Sequence, residues 1–99
     1  MQIIKNFVDA TDSELEDAQK YAEHFIEAKA KNDITAANKY KEMALDELKH
    51  SNFQHEMAVK TIAEVEHVYT APVAMQERWE KAHKGYVEKV ALIRHMLDM

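Results

Sequence analysis

Glu47-Leu-Lys-His50 is a Glu-x-x-His step inside a long stretch of helical character, and a further carboxylate, Glu14, stands 33 residues upstream of Glu47. Residues three apart on a helix occupy neighbouring positions of one face, so Glu47 and His50 are spaced to grip one metal ion. A Glu-x-x-His step together with a Glu from a neighbouring helix is the half-site of di-iron and di-manganese helical bundles. The chain holds one such half-site. A full site needs two, so the spacing predicts a metal centre completed by a second copy of the chain.

The elements that must position these residues are helices. One Gly and one Pro in 99 residues leave too few turn residues for a sheet. Residues 1–10 form an N-terminal arm, with Ile3, Ile4, Phe7 and Val8 able to dock on a partner helix. Thr11-Asp-Ser-Glu14 has the pattern of a helix start, with Thr11 or Asp12 as N-cap and Glu14 closing a capping box. The single domain, 11–99, then divides into helices over about 12–31, 35–69 and 73–97, separated by Asn32-Asp33 and by Thr70-Ala71-Pro72.

At about 100° per residue, the apolar face of the first helix is built by Leu15, Ala18, Tyr21, Ala22, Phe25 and Ala28. Glu14 lies on that stripe, whereas Glu16, Glu23 and Glu27 lie on the opposite, solvated side. The second stripe runs through Ala37, Tyr40, Met43, Ala44, Ser51, Ala58, Ile62, Val65 and Tyr69, with Glu47 near its centre and His50 on its flank. An ionised carboxylate in an apolar interior costs several kcal/mol unless it is paired or metal-bound. Lys29 is the one cation near the first stripe, and it sits far from Glu14. A bound cation satisfies the carboxylates best. The plainer alternative is that Glu14 only closes its capping box.

A rival step, Glu80-Lys-Ala-His83, lies in the third helix beside a stripe of Trp79, Tyr86, Val90 and Leu97. If that helix folds straight back, Glu80 faces residues near Ile62, about 15 residues from Glu47, or roughly 20 Å. It is then too far away to share an ion, and a surface ion pair or a subunit contact is expected of it. His24, His55, His67 and His95 read as ordinary polar residues, and Met43, Met57, Met75 and Met96 as core filler.

Composition removes other classes. The net charge of −5, from 13 basic and 18 acidic residues, disfavours a nucleic-acid partner. The absence of cysteine removes disulfides and thiolate metal sites. No apolar run approaches the roughly 20 residues of a membrane span, and no signal peptide is evident, so a cytoplasmic location and no membrane partner are expected.

Glu14-Leu-x5-Tyr21 followed by Glu47-x-x-His50 closely resembles the first half of bacterioferritins and rubrerythrins of the ferritin-like superfamily, including the 33-residue spacing. Glu14-Leu-Glu-x4-Tyr21 is also similar to the first helix of encapsulated ferritins, which are half-length chains too. The chain departs from full-length ferritins in lacking a fourth helix, and its tail, 92–99, does not resemble an encapsulation peptide. The resemblance implies an all-α fold: an antiparallel helical hairpin plus a third helix, pairing between subunits into a four-helix bundle, as a homodimer or larger homo-oligomer. It implies a carboxylate-bridged di-iron site that oxidises Fe(II), a ferroxidase serving iron storage or detoxification. Glu47 of each subunit would bridge the irons, and Glu14 and His50 would each hold one. Tyr21 would donate a hydrogen bond to a ligating carboxylate. The alternatives are a manganese or zinc site with no redox role, and a helical assembly protein without metal.

Overall fold

The computed structural model describes every residue except Met1, Tyr69 and Ala71. It is all-helical: α1 spans Gln2–Ala30, α2 Ile34–Val68 and α3 Val73–Leu97. The bundle is a rod of 55 × 18 × 17 Å, its length set by α2, whose 35 residues rise about 1.5 Å each. The helix expected to end at Tyr69 is described to Val68, and Tyr69 itself lies outside the described residues.

The arm is helical, contrary to the expected start at Thr11. Ile4, Phe7 and Thr11 continue the buried stripe of Leu15, Ala18, Ala22, Phe25 and Ala28 backwards without a break. No Gly or Pro interrupts that stretch. Thr11 is 2% exposed, and its hydroxyl donates to the Phe7 carbonyl one turn earlier at 2.8 Å. Bonding back to the i−4 carbonyl satisfies a threonine inside a helix, so the capping-box pattern marks no terminus.

The turn after α1 is a Schellman motif. Asn32 sits in the left-handed region at φ 60°, and the Asp33 and Asn32 amides donate to the carbonyls of Ala28 and Lys29. Asp33 then caps α2, its Oδ1 accepting from the Ala36 amide at 3.1 Å. Three residues, Lys31, Asn32 and Asp33, thus reverse the chain. α1 and α2 meet along a seam of small side chains, with Ala18, Ala22 and Ala44 wholly buried, which lets the helix axes approach closely. Pro72 precedes α3 as its N-cap in an extended conformation (φ −57°, ψ 148°), its carbonyl accepting from Met75 and Gln76. Pro72 therefore stands just outside the first turn of α3. Ala71, also assigned to the break, lies outside the described residues.

α3 folds back onto the hairpin, as the pairing of Glu80 with the Ile62 level requires. It packs along α1, placing Tyr86, Ile93 and Leu97 in the main core and Met75 against Ile4. Among the described residues, no helix is long and apolar enough to cross a membrane.

Candidate functional site

Glu14 projects from the second quarter of α1, half-buried, and its Oε2 is shielded from solvent with no hydrogen-bond partner. Burial, the larger effect, pushes its carboxyl above the usual carboxylate range. The charge of His50 opposes that shift, and the charge of Glu47 adds to it. The three residues picked from the sequence are therefore electrostatic neighbours across the α1–α2 pair. α3 is reached from α1 through the Phe7 ring, one heptad before Glu14, and from α2 through Ser51 and His55.

Two details differ from the expectation. Leu48 and Ser51 take the centre of the α2 core stripe, so Glu47 is half-buried at its edge and His50 is exposed. Tyr21 is half-buried beside the core, but Glu14 Oε2 has no hydrogen-bond partner, so Tyr21 is not its donor within the single chain. Among the described residues, no three His, Cys, Asp or Glu side chains of one chain converge as a metal-holding group. Glu16, Glu23 and Glu27 are exposed as expected.

The methionines split. Met75 is buried and Met96 half-buried, but Met43 and Met57 are 41% and 45% exposed rather than core filler. They stand one heptad before and one heptad after His50, on its own face of α2. Glu80 is exposed and, as expected, lines a small cavity of about 130 Å³ with Ile62 and Val65. It makes no ion pair among the described residues, where the pairs are His24–Glu27 and Lys84–Glu88.

His55 is the residue the sequence misjudged most. Its ring stacks on Tyr86 (centroids 4.8 Å apart, planes at 12°), lies 4.9 Å from the His83 ring, and packs against Trp79 and Phe7. Tyr86 Oη is 3.3 Å from Ser51 Oγ, joining α3 to α2 in the same cluster. His55 Nε2 is buried without a partner. The signal was present: Leu48, Ser51, His55, Ala58 and Ile62 follow one another at helical spacing, as do Trp79, His83 and Tyr86.

Burial, then the charge of His83, lowers the His55 pKa below 6.5, while Glu56 on the same helix opposes the shift. The unfolded chain therefore binds more protons than the folded one as pH falls through 6.5, and stability decreases with acidification over that window. Thermal unfolding followed by Trp79 fluorescence should show Tm falling between about pH 7.5 and pH 5.5. Trp79 is the sole tryptophan. His55→Phe keeps the ring and removes the titration, so it should flatten that slope; an unchanged slope would acquit His55.

Comparison of the chain with protein-family models, with characterised proteins and with solved structures returns no match.

Proposed function

We propose that this chain is one half of a carboxylate-bridged di-iron protein that oxidises Fe(II), its site completed by a second copy. The observation that carries this reading is Glu14 Oε2, buried without a hydrogen-bond donor and facing the charges of Glu47 and His50. A carboxylate left so is costly in the metal-free protein, and a cation between the helices removes the cost. Two copies of Glu14, Glu47 and His50 supply four carboxylates and two imidazoles, the donor set of a bundle-core iron pair. Bound there, iron supplies the electrons that dioxygen or peroxide takes up. The residues' part is to hold the ions, exclude bulk water and balance their charge.

The exposed methionines support a particular pairing. Because Met43 and Met57 are equally spaced about His50, a two-fold axis perpendicular to α2 at His50 lays Met43 of one copy on Met57 of the other. The same axis brings both triplets together. Apolar residues otherwise open to water are covered in this way.

Protein purified without chelator is expected to carry about one iron per chain, two per dimer, with an absorbance change when the anaerobically loaded protein meets air. Glu47→Ala and His50→Ala should each abolish the stoichiometry, while Glu23→Ala, on the exposed face, should leave it intact. Unchanged iron content in Glu47→Ala would remove the site. A manganese or zinc content with no oxidation, or a dimer without metal, would favour the non-redox and assembly readings respectively.

A further inference from the structure

An open cleft of about 760 Å³ runs between the N-terminal half of α1 and α3, lined by these two helices alone. Phe7, Val8, Leu15 and Ala82 contribute its apolar surface. Its banks carry opposite charge: Asp9, Asp12 and Glu16 on α1, with Lys5 the exception at one end, and Arg78, Lys81 and Lys89 on α3. No ion pair crosses it among the described residues. Gly85, in the α3 bank, has nothing within 4 Å of the position a Cβ would occupy, so that wall is bare backbone open to approach.

We propose that this cleft is a second interface between copies of this chain, distinct from the metal-bearing one. Banks of opposite sign on parallel helices fit an occupant that itself carries an acidic ridge beside a basic ridge, and the chain's own α1–α3 face is such a surface. α1 and α3 run in register, with Ile4 beside Met75, the Phe7 ring against Trp79, and Lys29 Nζ bonded to the Met99 carbonyl at 2.7 Å. Carried along, that register sets Asp9 level with Lys81 and Glu16 level with Lys89. A two-fold axis parallel to the helices lays α1 of one copy on α3 of the other without shifting any level. Each acidic bank then meets a basic bank, twice over, in an isologous contact. Such complementarity fixes partner and register more than it adds raw affinity. The cleft flanks Leu15, about 100° round α1 from Glu14, so both interfaces are open to one chain. Their axes are perpendicular, and where they meet the closed assembly is a tetramer of D2 symmetry.

Charge reversal tests this independently of metal. One variant carries Lys81→Glu and Lys89→Glu, the other Asp9→Lys and Glu16→Lys. Each alone sets like charge on like across the interface, and self-association by sedimentation at low salt should weaken at least tenfold. An equimolar mixture should recover the wild-type mass, because each variant now complements the other. A third variant with all four changes has both banks exchanged and should associate by itself, which a folding defect would not permit. Iron stoichiometry and helicity should stay at wild-type levels throughout. Masses unaltered in the two separate variants, or no recovery in either the mixture or the fourfold variant, would overturn the proposal.

Discussion

Glu14→Gln is expected to strengthen the metal-free protein and to weaken its hold on iron, two opposite effects of one neutralised carboxylate. Glu14 lies well inside α1, which begins at Gln2, so it caps no helix end and the amide disturbs no terminal hydrogen bond. Gln and Glu have similar helix propensity, which keeps helicity unchanged. The carboxyl pKa is raised by burial and by Glu47 against the opposing charge of His50. A raised acid gives the fold a contribution that is complete below its unfolded value of 4.5 and lost as pH rises through the folded value. At neutral pH the wild type has lost that contribution, while the amide has no charge to bury. The Tm of the variant should therefore match wild type near about pH 4 and exceed it at pH 7.

With iron the order reverses. Loss of a mere supporting hydrogen bond to a ligand costs about 10–100-fold in metal affinity, and loss of a ligand's charge should cost at least that. Iron titration and Fe(II) oxidation rates equal to the parent would return Glu14 to an unpartnered carboxylate at a helix edge.

The α1 stripe was legible because five apolar residues, Leu15, Ala18, Ala22, Phe25 and Ala28, recur at helical spacing, and packing obeys that period. The start of α1 was not, since Thr11 satisfies a capping pattern and a mid-helix bond to Phe7 equally well from sequence alone. On α2 the expected stripe holds at Ala37, Ala44, Ser51, Ala58 and Ile62, all buried, but it omits the buried Leu48 and includes the exposed Met43, which draws its centre towards Glu47. The triplet Glu14, Glu47 and His50 still emerged as neighbours, because an antiparallel pair joined by a three-residue turn fixes which levels meet. What α3 covers depends on which side of the hairpin it returns to, and no local pattern encodes that choice. The His55 cluster depends on the same choice: its partners Phe7, Trp79, His83 and Tyr86 come from two other helices.

Because α3 is seated through so few large side chains, Ile93→Ala is expected to cause the largest loss of stability of any single truncation in that helix. Ile93 is 0% exposed, within the core cluster that also holds Tyr86 and Leu97. Truncating a buried isoleucine removes its transfer free energy and leaves a cavity, for about 3 kcal/mol. Native domains have only about 5–15 kcal/mol in total, and at this chain length the change corresponds to a Tm lowered by roughly 10–20 °C. The neighbouring Leu92 is 47% exposed, and Leu92→Ala should stay within about 0.5 kcal/mol of the parent. Both should be measured on metal-free protein at one fixed concentration, because metal and self-association add stability by mass action. Following Trp79 emission beside far-UV dichroism separates release of α3 from loss of helix, since Trp79 lies against Phe7 of α1. Equal losses for the two variants would mean that α3 does not seat on the hairpin through the face bearing Ile93.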